Sequence, residues 1–159
     1  MNCLYVKIIL TALLSLHKYM TLILTKPIAC WQQEYVTGNP QVDGQHQQIF
    51  EIVNALHDAV VTRKKLYILQ ELLGYLANHT IEHFQTEESL MMAVDYPDYD
   101  RHKQTHDHLL AKIDNLLLKF RDRDTRVITT EITQFLVEWL AHHIKGEDQK
   151  MIQFLQAKI

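Results

Sequence analysis

Between residues 45 and 145 apolar side chains recur at steps of three and four in four successive runs, a periodicity that commits the chain to long amphipathic helices. The first run, Ile49, Val53, Leu56 and Val60, predicts a helix over about 45–61, entered through Val42-Asp43-Gly44. Leu69, Leu72, Leu73 and Leu76 predict a second over 66–92, and Leu109, Ile113, Leu116, Leu117 and Phe120 a third over 98–120. Ile128, Ile132, Phe135, Leu136 and Trp139 predict a fourth over 125–145, interrupted at Gly146 and followed by the short amphipathic tail Met151, Ile152, Phe154 and Leu155. The separators are Arg63-Lys64-Lys65, Asp95-Tyr96-Pro97 and the solvated run Arg121-Asp122-Arg123-Asp124. With 4 Gly and 3 Pro in 159 residues, turn formers are too scarce for a β-sandwich or barrel. The expected fold is all-α, an up-down-up-down four-helix bundle with a short C-terminal helix and an N-terminal extension.

That extension, residues 1–27, differs from the domain expected over 28–159. Lys7, Lys18 and Lys26 are its charges, and no acid precedes Glu34. Its apolar runs, 8–16 and 19–24, are split by His17-Lys18, and neither reaches the roughly 20 residues of a spanning helix, so no stable membrane span is expected. Lys7 with the run 8–16 resembles a signal segment without a clear cleavage site, and Met20 offers an alternative start. Cys3 and Cys30 both fall in the first thirty residues and cannot frame the body of the chain; free thiols in a reducing, cytoplasmic compartment are expected, with export as the alternative if residues 1–27 direct it. A formal charge of −3 without a long basic run gives nucleic acid no electrostatic purchase.

Histidine is the outlier: 10 occur, seven of them from His79 to His143. Extending each apolar stripe onto its polar positions brings them inward. His46 stands three residues before Ile49, His83 and Glu87 continue from Leu76, His102 and His106 precede Leu109, and His143 follows Trp139 by four. Residues i and i+4 lie about 40° apart on a helix, so His83/Glu87 and His102/His106 can each grip one metal region. Asp148 stands five after His143, about 140° round an unbroken helix, and joins the face only if the chain is distorted at Gly146. Burying so many polar groups without partners would cost about 1–3 kcal/mol each, and metal is the economical explanation. Five imidazoles and two carboxylates exceed what one ion holds; two ions are expected, with iron, zinc and manganese all suited to imidazole and bridging carboxylate. The set is richer in histidine than the carboxylate-rich ferritin-like site, and such a pair suits binding oxygen more than cleaving it.

Four segments carry a resemblance: Val42-Asp43-Gly44-Gln45-His46; His83-Phe84-Gln85-Thr86-Glu87-Glu88 with Leu90-Met91; Tyr96-Pro97 followed by His102 and His106; and Trp139-Leu140-Ala141-His142-His143-Ile144 followed by Asp148. From about Ile28 to the C-terminus the chain resembles the hemerythrin family, especially its single-domain bacteriohemerythrins. The resemblance implies two iron ions, Fe2+ or Fe3+, under an oxo or hydroxo bridge, with His102, His106 and His143 on one, His46 and His83 on the other, and Glu87 and Asp148 bridging. It further implies reversible O2 binding for carriage, storage or delivery, the O2 held as hydroperoxide on the two-histidine iron, rather than enzymatic turnover. A sensor acting on a partner in trans, a di-iron peroxidase and a nitric oxide reductase are the alternative roles.

Of the other histidines, His79 is expected to be a solvent-linked core residue, and His57, His108 and His142 surface residues. Met91 and Met92 are expected to pack rather than ligate. Phe50, Phe84, Trp139 and Ile144 are candidates for a dry wall around the site, with ordinary core packing the equal alternative, and the resemblance implies that Gly146 stands where a bulkier side chain in the family would alter O2 access.

Overall fold

The computed structural model describes residues 27–121 and 130–158. Its long helices are α1 (Pro40–Val61), α2 (Leu66–Ala93), α3 (Tyr99–Arg121) and α4 (Thr130–His143). α4 runs on through a π-helical turn, Ile144–Asp148, into the short α5 (Gln149–Gln156). No strand occurs among the described residues. Cys3, Ile128 and the remainder of positions 1–26 and 122–129 lie outside them, as does the side chain of Phe120.

α1 begins earlier than its apolar stripe suggests. Asn39 accepts hydrogen bonds from the Gln41 and Val42 amides, and Pro40 occupies the first helical position, where a missing N–H is harmless. Val42-Asp43-Gly44 therefore lies inside the helix, and Asp43 in its first turn accepts from the Thr37 amide, the Thr37 hydroxyl and the Gly38 amide. The two described turns between helices close alike. Lys64 N–H reaches back to Ala59 C=O at 2.9 Å around Arg63, and Tyr96 N–H to Met91 C=O at 3.0 Å around Asp95, with Arg63 and Asp95 both at φ 51°.

α1 packs against both α2 and α4, and α3 against α2, which with short turns gives the antiparallel bundle. Ile49, Val53, Leu56, Leu73, Leu76, Ile113 and Leu136 fill its main core. The fully covered line on α4 is Thr133, Leu136, Leu140 and His143. Ile132, Phe135 and Trp139, expected inward, are half-buried one residue to the side, because His143 and Leu140 set the rotation of the helix. A second apolar cluster, Val42, Met91, Tyr96, Met151, Ile152 and Leu155, closes the far end of the bundle. Between the two, on every long helix, lies a polar layer: His46 between Val42 and Ile49, His83 and Glu87 between Leu76 and Met91, His102 and His106 before Leu109, His143 and Asp148 between Leu140 and Met151.

The segment before α1 is strapped across the bundle. Ala29 exchanges two backbone hydrogen bonds with the Asn54 amide group, at 3.0 and 2.8 Å. Trp31 then stands 6.2 Å from the His46 ring, and Gln149 donates to the carbonyls of Glu34 and Val36. Gln149 thus ties the strap to the start of α5.

Candidate metal centre

All seven side chains singled out in the sequence meet in that layer. His46, His83, Glu87, His102, His106 and Asp148 are wholly buried, and His143 is 5% exposed. Their donor atoms form two groups, Glu87, His102, His106, His143 and Asp148 in one, His46, His83, Glu87 and Asp148 in the other. Glu87 and Asp148 belong to both.

Asp148 faces both groups with different oxygens. Oδ1 stands 3.1 Å from His102 Nε2 and 3.1 Å from His143 Nε2, while Oδ2 stands 3.1 Å from His46 Nε2. Glu87 Oε2 lies 3.3 Å from His106 Nε2, 3.6 Å from His102 Nε2 and 3.7 Å from His83 Nε2. His143 Nε2 is 3.2 Å from His102 Nε2 and 3.0 Å from His106 Nε2. Two donors that each stand about 2.1 Å from one ion lie at most about 4.2 Å apart, and every one of these separations falls within that limit.

The close approaches of the carboxylates are not hydrogen bonds in direction. Both oxygens of Glu87, both of Asp148, and Nε2 of His46 and of His83 have no hydrogen-bond partner. Buried polar atoms are rarely left so, and orphaned donors on four side chains of one shared layer fit a cation set. Neutral imidazole and carboxylate, with no thiolate among them, suit iron, zinc or manganese.

Electrostatics within the layer point the same way. Burial opposes charge on Glu87 and Asp148, yet the surrounding imidazoles outweigh it: His83, His102 and His106 hold Glu87 down at about 2, and His143, His102 and His46 hold Asp148 well below the usual carboxylate range. Burial lowers His83 to about 4 against the pull of Glu87. Burial also acts to lower His102, but Asp148 and Glu87 overcome it and raise that group to about 9.

Aromatic rings back the ligating histidines. Phe84 stacks on His106 with centroids 3.7 Å apart and planes 4° from parallel, and Trp139 stacks on His143 at 4.4 Å and 18°. Ile144 is fully buried; Phe50 packs instead on Trp31 and Tyr35, so the wall on the His46 side is Trp31, which no helical period brings forward. An added Cβ on Gly146 would meet nothing within 4 Å, so the space beside this glycine is open. His57, expected at the surface, is half-buried and bonds Thr133 Oγ1 through Nδ1 at 2.8 Å, tying α1 to α4. His79 is half-buried and bonds the Tyr75 carbonyl, while His108 and His142 are exposed. Met91 packs in the second cluster, and Met92 is exposed.

Sequence stripes alone did not expose the groups behind the ligands. Glu88 Oε1 accepts from His106 Nδ1 at 3.2 Å, and Gln45 Oε1 stands 3.3 Å from His83 Nδ1. Each leaves Nε2 of its imidazole for the interior.

Comparison with known proteins agrees with this geometry. The Hemerythrin HHE cation binding domain family matches residues 37–155. A hemerythrin-like protein of Naegleria gruberi is 38% identical over 120 residues, 76% of this chain and 87% of that one. A bacteriohemerythrin of Methylococcus capsulatus is 34% identical over 116 residues, 73% of this chain and 87% of that one. A crystal structure of wild-type hemerythrin superposes with a TM-score of 0.75 at 30% identity, covering 80% of this chain and 97% of its own. A buried His/Glu/Asp layer inside four helices and a family match across that whole bundle lead to one conclusion: the chain belongs to the hemerythrin HHE family of cation-binding domains.

Proposed function

We propose that the chain binds O2 reversibly at a pair of iron ions held by His46, His83, Glu87, His102, His106, His143 and Asp148, with residues 28–159 as the working domain. The observation that carries this reading is the inequality of the two donor groups. One offers three imidazoles and two carboxylates; the other offers two imidazoles and the same two carboxylates. The second group has one protein donor fewer, and an ion held there keeps a position for a ligand from outside. A pair of irons held by these seven side chains would supply the two electrons that reversible O2 binding requires.

The protein's own part is to hold that position dry. Beside His83 lies an apolar cavity of about 20 Å³ lined by Ile49, Val53, Leu76, Phe84, Leu136 and Leu140 among others. It has room for a water-sized or diatomic molecule and none for an organic substrate, which favours gas binding over turnover of a larger molecule. Trp31 and the strap cover His46, and Phe84 and Trp139 cover the three-histidine side, so few protons reach the buried oxygens. Glu87 and Asp148, held anionic by the imidazoles, balance the charge of two cations without solvent. Equilibrium uptake by the anaerobically iron-loaded chain tests the reading: one O2 per two irons, recovered under vacuum, is expected, and irreversible consumption of O2 would refute it.

A further inference from the structure

Gln45 and His83 meet across α1 and α2, and a third residue decides how they meet. Gln45 Nε2 stands 3.0 Å from Thr86 Oγ1, and its Oε1 stands 3.3 Å from His83 Nδ1. Thr86 gives its one hydroxyl proton to the Glu82 carbonyl one turn back in the same helix, at 2.9 Å. With that proton placed, Thr86 Oγ1 can only accept, so the Gln45 group facing it must be the NH2. The Gln45 carbonyl then faces His83, which must donate from Nδ1 and leave Nε2 bare toward Glu87 and the interior.

We propose that Thr86 is a positioning residue that sets the tautomer of His83 through Gln45. The inference rests on the metal-centre reading for its purpose, but the relay itself is a property of the metal-free chain. The opposite polarity is chemically complete. If Thr86 donated to Gln45 instead, the amide would flip, its NH2 would donate to His83 Nδ1, and the His83 proton would sit on Nε2, 3.7 Å from Glu87 Oε2 and in the path of a cation. The Glu82 carbonyl, always one turn away on the same helix, biases the hydroxyl against that state. A half-buried threonine two bonds removed from the centre thereby selects a metal-ready imidazole over a metal-excluding one.

Long-range 1H–15N correlation spectra of the full metal-free chain read this directly, because the two neutral imidazole tautomers give different nitrogen shifts. In the wild-type chain His83 is expected to carry its proton on Nδ1. In Thr86→Val, which keeps the shape but loses the acceptor, His83 is expected to populate both tautomers, and affinity for Zn2+, a redox-inert probe, to fall about tenfold. Thr86→Ser restores the hydroxyl and is expected to restore both. A wild-type His83 protonated on Nε2, or a Thr86→Val chain with unchanged tautomer and Zn2+ affinity, would overturn the proposal. Failure of the wild-type chain to take up Zn2+ or Fe2+ at all would tell against the metal-centre reading instead, while the spectra would still decide the relay.

Discussion

Asp148 Oδ1 lies 3.1 Å from His143 Nε2 although five residues separate them. On an unbroken α-helix that separation rotates one side chain about 140° from the other. The π turn Ile144–Asp148 holds one residue more per turn, and it stacks position 148 beneath position 143. Leu140, His143, Ile144, Asp148, Met151, Ile152 and Leu155 are all buried; on an unbroken helix they would spread over about half the circumference, with His143 and Asp148 too far apart to meet, and the widened turn draws that pair together.

The π turn does not call on the conformational freedom of Gly146, which lies inside it without a positive φ and whose added Cβ would touch nothing within 4 Å. Gly146→Ala is expected to leave metal content unchanged and to raise thermal stability by about 0.5–1 kcal/mol, the gain in helix propensity. Metal analysis and a melting curve check both. A loss of metal would show that the glycine itself makes the turn.

The shared carboxylate gives a second expectation. Asp148→Asn keeps the size of the side chain and removes the charge that faces His46, His102 and His143. Bound metal after desalting is expected to fall from two ions per chain to at most one, and an unchanged content of two would mean that Asp148 bridges nothing.

Stability of the metal-free chain is expected to peak near pH 6.5. His102 is raised in the folded chain to about 9, so the stability it contributes is fully present below its ordinary value of 6.5 and is lost as pH rises through about 9. His83 is lowered to about 4, so the unfolded chain takes up its proton first and stability falls as pH drops from 6.5 toward 4. Each arm amounts to about 3 kcal/mol, at about 1.4 kcal/mol per pH unit. Urea unfolding of the metal-free chain across pH 4 to 9 measures both arms, and a monotonic profile would contradict the assignment.

The strap offers a test away from the ligands. Asn54→Ala removes both hydrogen bonds to Ala29 and is expected to cost about 1–3 kcal/mol and to shift Trp31 fluorescence toward that of solvated tryptophan. Unchanged emission would mean that Trp31 stays over His46 without the strap.

Much of this molecule can be read along one dimension because a helix converts sequence spacing into direction. The interval from Leu76 to His83 and Glu87, and from Leu109 back to His106 and His102, already puts those donors on the core side. Asp148 is different, since its approach to His143 depends on the π turn Ile144–Asp148, which helical spacing does not announce. The start of α1 was written in Asn39-Pro40, a capping pair that reads equally well as a loop until Asp43 is seen to bind Thr37. Gln45, Thr86, Glu88 and Trp31 act across elements, and no periodicity within one helix relates Gln45 to Thr86 or Trp31 to His46.

Reversible O2 binding is read out by the visible absorption of the anaerobically iron-loaded chain. Spectra are taken before oxygen, after oxygen and after its removal. A charge-transfer band that appears with O2, disappears when O2 is withdrawn and returns on a second exposure is expected. Conversion on first exposure to a permanent ferric spectrum that no removal of oxygen reverses would contradict it.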